Sequence, residues 1–106
     1  MADRDLANLA GVKDAIKDTQ PETEVLTVEL DVRSQSSVQA LVKTVVDQFG
    51  RIDYCANCAG ILRFGDSAAL PIDDFEDVYQ VNLRGIFYCC KAEVNAMMQQ
   101  EPISSR

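Results

Sequence analysis

Six apolar residues constrain the middle of this chain. Val38, Leu41, Val42, Val45, Val46 and Phe49 fall at i, i+3, i+4, i+7, i+8 and i+11, which puts them on one face of an α-helix. Ser34, Ser36 and Ser37 precede the run, and a short hydroxyl there can accept a hydrogen bond from an orphan N–H. Gly50 is a natural left-handed stop. Such a helix must bury its face, and its flanks indicate against what. Glu24-Val25-Leu26-Thr27-Val28-Glu29-Leu30 is short, β-branched and largely apolar, and Ile52-Asp53-Tyr54-Cys55-Ala56 is similar; both read as strands. Leu6, Leu9, Val12 and Ile16 predict a helix over about 4–18, closed by Pro21. Asp73 is a candidate cap for a last helical region over about 74–100, with a bend expected near 82–85. Helix, strand, helix, strand, helix is the pattern of βαβ units and a parallel sheet.

Composition narrows the function. The 106 residues suit one domain, 1–106. Seventeen acidic against ten basic side chains give a net charge of −7. Grasping nucleic acid or an anionic membrane needs clustered cations, so neither is expected as a partner. With 47% apolar and 25% charged residues the chain has an ordinary globular mix. No apolar run reaches the roughly 18 residues of a membrane helix. Met1-Ala2-Asp3-Arg4-Asp5 is charged, so no secretory signal is expected. A cytoplasmic location with reduced cysteines follows as the expectation.

Histidine is absent, which excludes a Ser-His-Asp triad or a His-ligated metal within the chain. Cys55-Ala56-Asn57-Cys58 has the two-residue gap of a zinc or redox motif. Cys89 and Cys90 are adjacent on a predicted helix, so their side chains point about 100° apart. A four-thiolate site is therefore not expected, and the cysteines read as structural, with no metal site.

Three patterns in order resemble the short-chain dehydrogenase/reductase family. Asp31-Val32 follows a predicted strand. Asn57-Cys58-Ala59-Gly60-Ile61 follows the next and is similar to the family's Asn-Asn-Ala-Gly segment. Val81-Asn82-Leu83-Arg84-Gly85 is similar to its Asn-containing helix segment. The resemblance spans essentially the whole chain. It implies a partial Rossmann-like, doubly wound parallel sheet, an α/β fold lacking here the first two strands and the C-terminal half. It also implies a nicotinamide cofactor, NAD or NADP, and a small alcohol or carbonyl substrate.

Residue by residue, ligands of an open parallel sheet bind beyond the strands' carboxyl ends. Asp31 stands there beside Val32. Its carboxylate can take an adenine amino group, as the resemblance implies, or cap the helix that follows. Asn57, Ala59, Gly60 and Ile61 form the segment that the resemblance places along the cofactor's ribose. The small Ala59 and Gly60 let a ligand come close to the backbone. Cys58 departs from the family's second Asn. Asn82 stands among apolar residues, where a buried amide must be paired; the resemblance makes it part of a proton relay. Asp3 would end the strand before the first helix. It can accept from the adenosine ribose hydroxyls and repel a 2′-phosphate, favouring NAD, or simply favour a helix N-terminus. Arg4 argues for a phosphate.

The family's Gly-rich loop, catalytic Ser and Tyr-x-x-x-Lys have no counterpart here. Tyr88 precedes Lys91 by three residues, not four. The expectation is an interior piece of an NAD(P)-dependent oxidoreductase, inactive and poorly packed as a chain alone. The alternative is a catalytically dead module that joins a homologous subunit, a homo-oligomer formed through the helix containing Asn82, with Ile86, Phe87, Val94 and Met97 as its apolar surface.

Overall fold

The computed structural model describes residues 1–104. Of the polar tail at 101–106, Ser105 and Arg106 lie outside the described residues. The chain forms two units, Met1–Asp31 and a second running from Val32.

The first unit rests on a parallel pair of short strands, β1 (Ala2–Asp3) and β2 (Val28–Glu29), with Ala2 opposite Val28 and Asp3 opposite Glu29. Val28 N–H donates to the Met1 carbonyl and Leu30 N–H to the Asp3 carbonyl, both at 3.0 Å. The Met1 ammonium donates to the Leu26 carbonyl at 2.8 Å. Between the strands, α1 (Leu6–Thr19) buries Leu9. Asp5 caps it, its Oδ1 accepting from Asn8 N–H at 3.0 Å. The strand expected over 24–30 is thus regular only at Val28–Glu29, because β1 offers just two residues to pair with.

In the second unit, Ser34 caps α2 (Gln35–Phe49) by accepting from Ser37 N–H at 3.3 Å. Gly50 ends the helix at φ +84°, a left-handed conformation that a side chain would strain. Of the predicted apolar face only Val38 is buried, at 1% exposure; Leu41, Val42, Val45 and Val46 are half-buried and Phe49 is exposed, so the face is incompletely covered, as expected of the chain alone. Helix α2 packs on α4 (Ile86–Met98). Val32, Ile52, Val81 and Cys89 complete this unit's core.

Two expectations need correction. The strand expected at 52–56 is extended chain with no ladder partner among the described residues. The two strands among the described residues, β1 and β2, pair with each other, so residues 52–56 have no strand to form a ladder with. Asp73 is not a cap. Helix α3 (Ile72–Tyr79) begins behind Pro71, which has no capping side chain. Asp73 and Asp74 instead occupy its first turn, where carboxylates suit the helix dipole.

The bend expected near 82–85 is present as a π-helical turn, Gln80–Gly85, joining α3 to α4. Val81, Gly85 and Cys89 form the buried stripe of this run. A Cβ on Gly85 would stand 2.7 Å from Val32 Cγ2, so the turn lies against Val32 at a distance only glycine permits.

Candidate functional site

The π-turn presents Asn82 to the end of the extended segment. Asn82 Oδ1 accepts from Ile61 N–H at 2.8 Å, and Asn82 Nδ2 donates to the Ile61 carbonyl at 2.9 Å. Both ends of the amide are therefore paired, as a polar side chain among apolar neighbours requires. Asn82 is nonetheless exposed, not buried as the sequence suggested. Its pairing replaces the ladder that Ile61 lacks.

Gly60 sits directly at this clamp. A Cβ there would meet only Asn82 Oδ1, at an ordinary 3.7 Å, so the backbone beside Gly60 is open to a close-approaching group. Ala59, Gly60 and Asn57 are all exposed. Asn57 turns its amide to α4, donating to Glu93 Oε2 at 2.8 Å and lying 3.6 Å from Cys90 Sγ. Val32 is buried against Gly85. The structure thus brings Gly60, Ile61 and Asn82 together, ties Asn57 to α4, and uses Val32 as packing.

Asp3 and Asp31 belong to the first unit. Asp3 is exposed at the end of β1, as expected, and its Oδ1 accepts from Asp5 N–H at 2.9 Å. The side chain that caps the helix after Asp31 is that of Ser34.

The thiols are all free. Cys89 is buried while Cys90 is exposed, as adjacent helical positions demand. Partial desolvation, then the Glu93 carboxylate beside it, push the Cys55 thiol up to about 11. Below pH 9 its thiolate fraction should be about 100-fold below that of an ordinary thiol. Iodoacetamide should therefore modify Cys55 slowly at pH 8 and accelerate up to about pH 11, in a rate-against-pH titration read by mass spectrometry. A rate that levels off near pH 9 would contradict this arrangement.

Glu93 and Gln100 are site residues that the sequence reading missed. Gln100 Oε1 accepts from Ile52 N–H at 2.6 Å and its Nε2 donates to the Ile52 carbonyl at 2.9 Å. No sequence signal marked them: Glu93 lies on α4 and Gln100 on the flank just beyond its end. Arg84 was also passed over as a contact residue. Its guanidinium lies 5.6 Å from the centroid of the Tyr88 ring, one turn on, within cation–π range.

The family profile for short chain dehydrogenases matches residues 1–102. The chain belongs to the short-chain dehydrogenase family. Among curated members, the Chanoclavine-I dehydrogenase ifgE of Penicillium roqueforti is 38% identical over 96 residues, 85% of this chain and 37% of the relative. Among solved members, levodione reductase superposes with a TM-score of 0.89 at 30% identity, over 93% of this chain and 39% of that one. The Thermococcus sibiricus alcohol dehydrogenase, solved with 5-hydroxy-NADP, gives 0.83 at 26% identity, over 90% and 40%. This short-chain dehydrogenase sequence spans about two fifths of the length of the relatives it matches. The fold is accordingly a partial Rossmann-like α/β arrangement. No helix among the described residues is long and apolar enough to cross a membrane.

Proposed function

We propose that this chain forms the adenosine and ribose side of an NAD(P)-dependent short-chain oxidoreductase acting on an alcohol or carbonyl. The observation that carries the reading is the Asn82–Ile61 clamp beside an open Gly60 backbone. The residues fit a nicotinamide dinucleotide: Ala59 and Gly60 are exposed and offer a backbone edge for a ribose, flanked by Asn57 and Ile61, which are held by Glu93 and Asn82. In the first unit, Asp3 is the carboxylate assigned to ribose hydroxyls and Asp31 the one assigned to an adenine amino group. When bound, the cofactor supplies or accepts the hydride. Asn82 has its side chain committed to Ile61. Its contribution to a proton relay is therefore assigned to the main chain of the π-turn, where the regular i→i−4 ladder is broken. The free thiols support a reducing, cytoplasmic setting.

NAD is preferred over NADP because the Asp3 carboxylate would face a 2′-phosphate. Calorimetric titration of the native protein with NAD+ and NADP+ should show at least a tenfold preference for NAD+, about 1.4 kcal/mol. Asp3→Ala should narrow it. Tighter NADP+ binding would overturn the Asp3 assignment, and binding of neither would overturn the cofactor reading.

Association with a second copy is supported by the exposed apolar residues of α4. Phe87, Val94 and Met98 are exposed, while Ile86 and Met97 are half-buried. Sedimentation should show a mass rising with concentration; a monomer at every concentration would reject this part.

A further inference from the structure

The segment 52–61 runs without a ladder, yet three side chains of the helical run and its C-terminal flank hold it at three points. Gln100 takes both main-chain groups of Ile52, and Asn82 takes both of Ile61. Each carboxamide offers one acceptor and one donor, which is what a neighbouring strand would offer. Between them, Glu93 faces two side chains. Its carboxylate accepts from Asn57 Nδ2 at 2.8 Å and raises the pKa of the neighbouring Cys55 thiol. Residues 55 and 57 share one side of an extended chain, so a single carboxylate meets two successive positions on the side that faces α4.

We propose that Glu93 and Gln100 are positioning residues that fix the register of residues 52–61 on the helical run and thereby set where Asn57, Ala59 and Gly60 stand. A slip of one residue would turn every side chain to the opposite side. It would set Tyr54 and Ala56 before Glu93 in place of Cys55 and Asn57, and Gln100 and Asn82 would lose their partners together. Only the purpose of this positioning rests on the cofactor reading; the register itself does not.

The test uses the 106-residue chain without cofactor, by amide exchange, side-chain amide resonances and thiol alkylation. Ile52 and Ile61 N–H should exchange at least about tenfold more slowly than those of 54–58, since one hydrogen-bonded opening of 1.4 kcal/mol is a factor of ten. Glu93→Ala should return the Asn57 side-chain resonance to the position of a free amide and speed Cys55 alkylation at pH 8. Glu93→Gln, which keeps an acceptor and removes the charge, should preserve the Asn57 resonance while still speeding Cys55. Gln100→Ala should release Ile52 alone. Buried Cys89 reports folding, and should stay slow throughout.

Equal exchange across 52–61 would overturn the proposal. So would an Asn57 resonance indifferent to Glu93→Ala, or a Cys89 as reactive as Cys55 in the unaltered chain. If a variant exposes Cys89, the unaltered chain's exchange pattern and the Gln variant decide. Failure of these readouts leaves the cofactor reading intact, and failure to bind NAD leaves the register intact.

Discussion

Gly85→Ala should destabilise the second unit by about 1–3 kcal/mol, the usual range for forcing a methyl into a filled core. The added Cβ would stand 2.7 Å from Val32 Cγ2, 2.9 Å from Val32 Cβ and 3.0 Å from the Gln80 carbonyl oxygen. None of these can yield cheaply. Val32 is buried and stiff at χ1, and the third neighbour is backbone. The π-turn would have to lift away from Val32, carrying Asn82 with it. Urea unfolding should show a lower midpoint, and Ile61 N–H should lose protection in the same variant. Val32→Ala should recover part of the loss, because it removes the nearest methyl, so the double variant should cost less than the two single changes added. An unchanged midpoint in Gly85→Ala would mean that the helical run does not approach Val32 as described.

Asn82→Ala should detach the end of the extended segment while leaving the helices formed. Two hydrogen bonds to Ile61 disappear. Each contributes about 0.5–1.5 kcal/mol net, so the loss is about 1–3 kcal/mol. The site is exposed, so water can solvate the released groups, which favours the lower part of that range. Ile61 N–H should then exchange roughly 10-fold faster or more. The amide of Ile52, held by Gln100, should be unaffected. In a whole enzyme the same change should weaken turnover through misplacement of Gly60 as well as through the relay. Asn82→Asp should not rescue, since a carboxylate can accept from Ile61 N–H but has no donor for its carbonyl. A variant indistinguishable from the parent in Ile61 exchange would remove the clamp from the account of this site.

Much of this was legible in the residues. The i, i+3, i+4 spacing from Val38 to Phe49 fixed α2, and Ser34 and Gly50 fixed its ends, because capping is local chemistry. The polar Asn82 beside Gly85 in an apolar run signalled the break that became the π-turn. What escaped the reading is non-local. Whether Ile52 to Ala56 forms a strand depends on a neighbour to pair with, and β propensity cannot supply one. Asn82 was expected inside because its neighbours are apolar; its exposure is decided by what covers the segment it holds. Glu93 and Gln100 looked like ordinary solvated positions of a helix and its flank. Their roles emerge only once Asn57 and Ile52 face them across the fold.

The uncovered segment also bears on how the chain behaves at high concentration. Tyr54, Leu62 and Phe64 are 96, 66 and 85% exposed. No backbone–backbone hydrogen bond among the described residues falls within 53–60. Such a stretch is a template for intermolecular strand pairing. At neutral pH the net charge of −7 keeps copies apart. As acid protonates the carboxylates, that repulsion disappears while the sticky stretch remains. Colloidal stability should therefore fail in mild acid, and the precipitate should be rich in β structure although the regular structure of the folded chain is mostly helical.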